Sequence, residues 1–335
     1  MALLEVRDLR THYVTKHAVT RAVDGVDLTI GAGENVGVVG ESGSGKSTLG
    51  RSMLRLVDGR RARIVAGSVR FEGVDLLRLS RRQLDRVRGG RIGVVFQNAQ
   101  SALNPVFTIG NQIAESLRAH TELTRPQIRR RTTELLAQVG VPDPDLRRGQ
   151  FPHELSGGLQ QRVAIAIALA CGPRLLIADE PTTALDVTIQ AQILALLTQI
   201  GRETGMGVLV ISHNLGVIAQ VCTRTLVMYG GVVMEEGPTD DLFDTPRHPY
   251  TQGLLRSVAS VDSVQERLYT IPGAVRRLTT PTSAGPVPAC RFAARCEHVV
   301  QRCRTAEPPL LTEPDGRRVR CWLSGAAREA EHAGA

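Results

Sequence analysis

The sequence of 335 residues is 42% hydrophobic and 22% charged, which is ordinary for a globular chain with one large or two modest domains. Its net charge of +8 is carried almost wholly by arginine, and aromatic residues make up only 3% of the chain. Because nucleic-acid sites combine basic patches with aromatic stacking platforms, this composition argues against nucleic-acid binding. The sequence has neither an apolar run near the roughly 20 residues of a membrane helix nor a secretory signal pattern, so we expect a chain that is neither inserted nor secreted.

Short β-branched runs alternate with helical stretches through most of the chain, a pattern typical of a sheet with crossover helices. The pattern predicts strands at 26–30, 35–40, 68–73 and 91–96, a helical block at about 112–169, a strand at 175–179, a helix at 189–201, a strand at 208–212 and a hairpin at 225–237. After about residue 245 prolines become frequent and the periodicity fades. We therefore predict one domain over residues 1–245, with a helical subdomain at about 100–170, and a second over 246–335.

The first chemical motif is GESGSGKST at residues 40–48, which lies between a predicted strand and a predicted helix. It matches the phosphate-binding loop, in which glycines allow backbone N–H groups to surround phosphate oxygens. In this pattern Lys46 reaches the β- and γ-phosphates of a nucleoside triphosphate, and Ser47 binds Mg²⁺. The predicted nucleotide-binding residues are Gly40, Ser42, Gly43, Ser44, Gly45, Lys46, Ser47 and Thr48.

A second motif, LLIADEP at residues 175–181, is an apolar run that ends in two adjacent carboxylates. Ligands of open α/β sheets bind beyond the carboxyl ends of the strands, where Asp179 and Glu180 are predicted to lie. We expect Asp179 to hold Mg²⁺, mostly through water, and Glu180 to orient and polarise the attacking water. The same residues would also suit a strand that ends in an acidic turn, but the phosphate-binding loop favours the catalytic interpretation.

The third motif, ELSGGLQQR at residues 154–162, begins a predicted helix with Ser156 as a candidate N-cap, and alone it would indicate only a helix cap. The order of the motifs is more informative. The phosphate-binding loop is followed by Gln97 in VVFQN, then LSGGLQQR, LLIADEP, Asp186 in ALD and His213 in ISHN. This arrangement, over about residues 3–240, resembles the nucleotide-binding subunit of an ABC transporter. The resemblance implies an α/β fold, the P-loop NTPase fold of the ABC type, with a helical subdomain.

The resemblance also implies a role for each matching residue. Tyr13 would stack on adenine, and a core tyrosine on the first strand is the alternative. Gln97 would contact Mg²⁺ and the attacking water, and His213 would contact the γ-phosphate, so both join Glu180 as predicted catalytic residues. The residues implied to act across a head-to-tail dimer are Asp186, for communication, and Ser156, Gly157, Gly158 and Gln160, for the ATP of the opposite subunit. ATP would close two such subunits and hydrolysis would open them, which would drive a permease.

Two positions depart from the usual pattern of the family. Leu159 stands in the signature where many members have glutamine, and Asn214 follows the histidine where aspartate is usual. Neither change removes a phosphate contact or a catalytic carboxylate, so we expect an active ATPase. Because Asn214 directly follows His213, the second change concerns how this histidine is supported.

Longer segments indicate the branch of the family. QSALNPVFTIGNQI (100–113), FPHELSGG (151–158), ADEPTTALDVTIQAQIL (178–194), HPYTQGLL (248–255) and IPG (271–273) resemble the oligopeptide and dipeptide importer ATPases, more their D type than their F type. The resemblance implies a heterodimer with an F-type ATPase, two permease subunits, an extracytoplasmic binding protein and a peripheral place on the cytoplasmic face of the membrane. Nickel chelates and sugars are alternative substrates.

The alternative to a transporter subunit is a soluble ABC-type ATPase that acts in repair or translation. Such proteins usually have two cassettes or a long coiled-coil insertion, and this sequence shows neither.

Four of the six cysteines lie in the tail, and they are Cys290, Cys296, Cys303 and Cys321, with five, six and seventeen residues between them. In a cytosolic chain such a group favours a metal over disulfides. The gaps are wider than those of usual zinc sites and suit thiolate ligation of an iron–sulfur cluster, with zinc or unligated thiols as alternatives. The peptide-importer ATPases carry a similar set that ligates a [4Fe–4S] cluster, so the resemblance implies one here. An iron–sulfur redox enzyme without ATP chemistry is a third functional class.

The tail is rich in proline and poor in large apolar residues, so a metal could supply cross-links that its small core cannot. We expect a small C-terminal cysteine-containing domain with a structural role, and a redox or regulatory role is the alternative. The other two cysteines, Cys171 and Cys222, lie in apolar runs, and we expect them in the core.

Overall fold

The computed structural model describes residues 2–57, 59–97, 102–182, 185–257, 269–273, 279–281 and 289–327. The first two residues of the QSALNPVFTIGNQI segment and the central TA of EPTTALD lie outside this part of the chain. The chain divides into two compact units, each built from several segments. The first unit comprises Met1–Leu3, Ile30–Asn35 and Phe71–Ile211, and the second comprises Leu4–Thr29, Val36–Arg70 and Ser212–Ala335.

The strands, in chain order, are β1 (Leu4–Val14), β2 (Ala18–Ile30), β3 (Asn35–Val39), β4 (Ala62–Phe71), β5 (Val74–Asp75), β6 (Ile92–Val95), β7 (Leu175–Asp179), β8 (Gly207–Ser212), β9 (Arg224–Tyr229), β10 (Val232–Pro238), β11 (Thr279–Pro281), β12 (Leu311–Thr312) and β13 (Arg318–Val319). The α-helices are α1 (Lys46–Met53), α2 (Arg81–Val87), α3 (Ile109–His120), α4 (Arg125–Gln138), α5 (Pro144–Arg147), α6 (Gly157–Leu169), α7 (Val187–Thr204), α8 (Leu215–Val221), α9 (Thr239–Asp244), α10 (Pro249–Arg256) and α11 (Gln301–Thr305).

In the first unit, β6, β7 and β8 form a parallel sheet with β7 in the middle. Every residue of β7 and β8 is buried, which explains the uninterrupted apolar sequences of these strands. The carboxyl ends of the strands share one edge, where Asp179 pairs with Ile211 and Gln97 follows β6 by two residues. The helices α3, α4 and α6 pack on one another within the range predicted for a helical subdomain.

The second unit contains a hairpin of β9 and β10, whose turn holds Gly230 and Gly231 at φ of 54° and 86°. Strand β3 pairs in parallel with β9, while β13 pairs antiparallel with β10 and β12 pairs antiparallel with β13. The tail strands β12 and β13 therefore extend a sheet whose other strands come from much earlier in the chain. In a second sheet of this unit, the strand order is β11, β2, β1 and β4.

Most of the predicted elements are confirmed, although several are longer than the local pattern indicates. The strand predicted at 26–30 is the end of β2, and the predicted helical block contains α3 to α6. The pattern gives no sign of the tail strands β11 to β13, because runs of two or three residues have no periodicity of their own. Across the part of the chain that the structure describes, no helix combines the length and the apolar character needed to cross a bilayer.

Candidate nucleotide site

The phosphate-binding loop connects β3 to α1 in the second unit, and its glycines adopt positive φ angles. Gly40, Gly43 and Gly45 have φ of 153°, 83° and 108°. A Cβ atom on Gly40 would lie 2.1 Å from the Met228 carbonyl oxygen, and one on Gly45 would lie 2.1 Å from the Ala22 carbonyl oxygen. Only glycine fits these two positions, because the backbones of β9 and β2 press against the loop.

Lys46 begins α1, and its buried side chain folds back over the loop. Its Nζ donates to the carbonyl oxygens of Gly40 at 2.6 Å and Glu41 at 3.0 Å and lies 3.4 Å from Ser44 Oγ. A positive charge at a glycine-rich loop that leads into a helix N-terminus fits a phosphate chain. The residues present therefore fit the triphosphate of ATP.

Tyr13, at the end of β1, is 37% exposed, so the alternative of a core tyrosine is wrong. Its Oη lies 3.4 Å from Thr48 Oγ1, which places an accessible aromatic ring beside the phosphate-binding loop. An exposed ring next to this loop is free to stack on a planar base.

His213 directly follows β8 and is exposed. The next residue, Asn214, is the N-cap of α8, because its side-chain oxygen accepts from Gly216 N at 2.9 Å. Its own N–H donates to Ser212 Oγ at 2.9 Å. Asparagine therefore caps this helix through a side-chain oxygen, a role that aspartate could also take.

Glu180 directly follows β7 in the first unit and is buried. Its N–H donates to the Ile211 carbonyl at 2.8 Å, and one carboxylate oxygen accepts from Gln97 Nε2 at 2.7 Å. Its φ of 51° is the left-handed conformation, which costs a non-glycine residue about 1–3 kcal/mol. Together with the buried carboxylate of Asp179, this strained turn resembles a site built to hold a cation and a water molecule.

The signature residues lie at the start of α6. Ser156 is exposed, and its Oγ accepts from Leu159 N at 3.4 Å, so it caps the helix as predicted. Gly158 packs closely, because a Cβ there would lie 3.1 Å from Ile189 Cγ2. Gln160 points back into its own turn, where Nε2 donates to the carbonyl oxygens of Pro152 at 2.8 Å and Leu155 at 3.1 Å. The glutamine thus supports the shape of the turn that presents Ser156.

Asp186 has a structural contact that the sequence reasoning missed. Its Oδ1 accepts from Ile189 N at 2.9 Å and caps α7. The signal was available, because an aspartate immediately before a helical apolar run is a typical N-cap. The carboxylate is exposed, so capping leaves it accessible from outside the subunit.

The four tail cysteines lie in one region of the second unit, and none of the six cysteines, all within the described residues, forms a disulfide. Cys290 N donates to the Cys303 carbonyl at 2.8 Å. Burial, with a smaller contribution from the other tail thiols, raises the pKa of Cys290 to about 12 and that of Cys321 to about 11. Within the described ranges, however, no three His, Cys, Asp or Glu side chains are arranged to hold a metal ion. This arrangement does not support the predicted cluster.

The two remaining cysteines differ in their surroundings. Cys222 is buried, and burial raises its pKa to about 12, so it is a core residue as expected. Cys171 is only partly buried and donates to the Ser116 carbonyl at 3.5 Å, so its placement in the core is only partly confirmed.

In metal-free protein we expect Cys290 to react slowly with iodoacetamide at pH 8. Burial raises its pKa from 9.0 to about 12, and this lowers the thiolate fraction about a thousandfold relative to the unfolded chain. Because the unfolded thiol releases its proton first, ionisation also makes the folded state less stable as the pH rises from about 9 to 12. Peptide mass spectrometry of folded and urea-unfolded protein measures the two labelling rates, and rates within about tenfold of each other would contradict the burial.

Comparisons with known proteins give a consistent result. A profile of the ABC transporter family matches residues 23–183, and a profile of the oligopeptide/dipeptide transporter C-terminal region matches residues 234–303. The chain is 46% identical over 323 residues to a probable peptide ABC transporter ATP-binding protein of Sinorhizobium fredii, covering 96% of this chain and 95% of the relative. It is 46% identical over 321 residues to the oligopeptide transport ATP-binding protein AppD of Bacillus subtilis, covering 96% of each. A solved ATP-binding cassette dimer in a post-hydrolysis state with ADP and Pi is 30% identical, with a TM-score of 0.64, and the match covers 70% of this chain and 98% of that one.

Proposed function

Because this chain belongs to the ATP-binding subunits of oligopeptide and dipeptide ABC transporters, we propose that it hydrolyses ATP to ADP and phosphate and thereby drives the import of peptides. The observation that carries the proposal is the match to peptide-transport ATP-binding proteins along 96% of the chain, including the C-terminal region that marks this branch. Nickel chelates, sugars, repair and translation have no comparable support.

The direct test measures ATP hydrolysis in vesicles that contain the chain, its permease subunits and the cognate binding protein. We expect the rate to rise several-fold when the binding protein is loaded with peptide, because transport closes and reopens the ATPase subunits in each cycle. Stimulation by a nickel chelate or a sugar instead of peptide would reassign the substrate. Stimulation by DNA or ribosomes, with no response to the permeases, would contradict the transporter assignment.

The nucleotide roles follow from the chemistry of each residue. ATP supplies the phosphoanhydride bond that is cleaved, and Mg²⁺ neutralises the charge of its phosphates. Residues 40–48 surround the phosphates, Tyr13 stacks on adenine, and Ser47 and Asp179 hold the Mg²⁺. Glu180 accepts the proton of the attacking water, and its hydrogen bond from Gln97 Nε2 orients the carboxylate for that step. His213 contacts the γ-phosphate.

The residues at the start of α6 serve the ATP of a second subunit. Ser156 is exposed at a helix N-terminus, where backbone N–H groups and the hydroxyl favour an anion. Gly157 and Gly158 add backbone donors without side chains in the way, while Gln160 holds the turn and Asp186 communicates across the dimer. We propose that this second subunit is a distinct F-type ATPase. Co-purification followed by mass spectrometry would test the heterodimer, and recovery of a homodimer alone would contradict it.

The remaining partners are two permease subunits and an extracytoplasmic substrate-binding protein, which peptide import requires. With these partners the chain sits peripherally on the cytoplasmic face of the membrane. Residues 1–245 act as the ATPase domain, and residues 246–335 form the extension typical of this branch. Release of the chain from membranes by depletion of the permeases would test this placement.

For the tail cysteines we propose a [4Fe–4S] cluster held by Cys290, Cys296, Cys303 and Cys321, with zinc as the alternative. The proposal rests on the four cysteines of the tail and on their resemblance to the set of this family, since no three of the described His, Cys, Asp or Glu side chains are arranged to hold a metal ion. Because ligating thiols must lose their protons, and burial raises the pKa of Cys290 and Cys321, binding would release protons and strengthen as the pH rises. The test measures iron, sulfide and zinc per chain in protein purified without oxygen. Iron and sulfide near four each would support the cluster, zinc near one would support the zinc site, and the absence of all three would contradict a metal in the tail.

A further inference from the structure

Glu41 lies inside the phosphate-binding loop at a position where the pattern accepts any residue, yet its polar groups are bonded throughout. Its N–H donates to Tyr250 Oη at 2.9 Å. Its carbonyl oxygen accepts from Lys46 Nζ at 3.0 Å and from Ser44 N at 3.2 Å. Glu41 is therefore one of the groups, with Gly40, that hold the Lys46 ammonium in place.

The carboxylate of Glu41 is held by Arg295, which lies 254 residues later in the chain, between Cys290 and Cys296. Arg295 Nη1 donates to Oε2 at 2.6 Å and Nη2 donates to Oε1 at 3.0 Å, the two-pronged geometry that arginine forms with carboxylates. The bond to Glu41 raises the pKa of Arg295 above its usual value, so the guanidinium stays charged.

The guanidinium of Arg295 is fixed on every side, and only 5% of the side chain is exposed. Nε donates to the Pro272 carbonyl at 2.8 Å and Nη2 to the Ile271 carbonyl at 3.1 Å. Nη1 lies 3.5 Å from Tyr229 Oη, and the group stands 5.7 Å from the centre of that ring. A buried arginine with all its donors engaged is a rigid support, in contrast to a surface ion pair that solvent screens.

The same tail segment also fixes the tyrosine that bonds the Glu41 N–H. Phe292 is buried and packs against Tyr229 and Tyr250, with ring centres 5.4 and 5.3 Å apart. The two tyrosine rings are 4.8 Å apart in an edge-to-face arrangement. Both contacts that hold Glu41 from outside the loop therefore depend on residues 291–295.

A second arginine of this segment supports the loop less directly. Arg291 Nη1 donates to the Gly230 carbonyl at 2.6 Å, and its side chain pairs with Asp24. The neighbouring Gly231 N donates to Ser44 O of the loop at 2.9 Å. The segment between the two cysteines thus contacts the loop directly through Arg295 and touches its neighbouring hairpin through Arg291.

We propose that Arg295 is a positioning residue of the ATP site, through which the C-terminal tail holds Glu41, and thereby Lys46, in the geometry that binds phosphate. The inference rests on the proposed function, because it takes residues 40–48 to bind ATP. It gives the tail a part in nucleotide binding that is separate from any metal in the tail.

The test compares MgATP binding by the purified full chain and its Arg295→Gln variant. We expect the variant to bind MgATP about tenfold more weakly, because Glu41, whose side chain is 26% exposed, loses the two-pronged arginine partner that holds it in the loop. In the assembled transporter the KM for ATP should rise similarly while kcat stays within about threefold, since the chemical step is assigned to Gln97 and Glu180 and Arg295 is proposed to support binding alone. Hydrogen exchange in peptides covering residues 40–48 should become faster in the variant without nucleotide.

Two variants separate positioning from a general loss of stability. Arg317→Gln removes another buried arginine of the same unit, whose partners are Asp315, Asp241 and Thr245, so it should lower the melting temperature without changing the affinity for MgATP. Arg295→Lys keeps the charge but loses the two-pronged geometry, so its affinity should lie between those of the wild type and Arg295→Gln.

If Arg295→Gln does not fold, Glu41→Gln tests the same pair from the loop side and should weaken MgATP binding by a similar factor. The double variant Glu41→Gln/Arg295→Gln should bind no more weakly than the worse single variant, because both remove one interaction. Unchanged MgATP affinity in folded Arg295→Gln and Glu41→Gln would overturn the inference while leaving the proposed function intact. Failure of the wild-type chain to bind MgATP would instead overturn the proposed function on which the inference depends.

Discussion

Substitution of Glu180 by glutamine should abolish ATP hydrolysis, lowering the rate about 10²- to 10⁴-fold, while MgATP binding stays within about threefold of the wild type. The reason is chemical, because an amide cannot accept a proton from water and a general base contributes a factor of this size. The amide has nearly the same shape, and its oxygen still accepts the bond from Gln97 Nε2 that the carboxylate accepts at 2.7 Å. Binding and structure should therefore survive.

A phosphate-release assay of the assembled transporter together with equilibrium binding of MgATP measures the two effects separately. Glu203→Gln provides the matched control, since this glutamate is exposed near the end of α7 and bonds only to Gln199 in the same helix among the contacts described for it. The control should hydrolyse ATP at the wild-type rate. Hydrolysis by Glu180→Gln within about threefold of the wild type would show that another group accepts the proton.

Substitution of Lys46 by alanine should weaken MgATP binding about a hundredfold or more. A charge-assisted hydrogen bond to a charged group contributes about 1.5–3 kcal/mol, and a hundredfold loss corresponds to about 2.7 kcal/mol. The lysine also donates to the carbonyl oxygens of Gly40 and Glu41, so its removal takes two hydrogen bonds from the loop as well. Hydrolysis should fall with binding, because the same charge faces the phosphates in both steps.

The chain offers an unusually clean control, because Lys16 is its only other lysine and lies exposed between β1 and β2. Lys16→Ala removes the same charge from the surface and should bind MgATP as the wild type does. Isothermal titration of the three proteins gives the comparison. Equal affinities for Lys46→Ala and the wild type would contradict the assignment of the phosphate-binding loop.

Several features of the site could be predicted from the sequence because the signals are local. The strand at 175–179, the glycines at 40, 43 and 45, and the helix start at Ser156 each depend on residues within a few positions of one another. Backbone conformation, helix capping and the alternation of buried and exposed residues depend on neighbours in the sequence, so a local sequence pattern is enough to predict them. The tail strands were missed because they are too short to show a period.

Side-chain partners across long separations depend on tertiary structure. Gln97 meets Glu180 across 83 residues, and Arg295 meets Glu41 across 254. The sequence shows these side chains but not their pairing, because a buried polar or charged group needs a partner and the fold determines which partner lies beside it. The contacts of Gln160 with its own turn and of Asp186 with the start of α7 are local by comparison, and the cap by Asp186 was predictable from the sequence.

The nucleotide chemistry expected of this protein could be predicted from its sequence, since a phosphate-binding loop, a buried strand ending in carboxylates and a signature turn are each contiguous. The relation of the tail to the phosphate-binding loop could not be predicted in this way, because it depends on contacts between distant parts of the chain. The sequence indicates that the segment between Cys290 and Cys296 belongs to a separate cysteine-rich region. In the structure its two buried arginines, Arg295 and Arg291, pair with Glu41 and Asp24, which lie far earlier in the chain. Burial of a charge requires a partner, and folding rather than proximity in sequence supplies it.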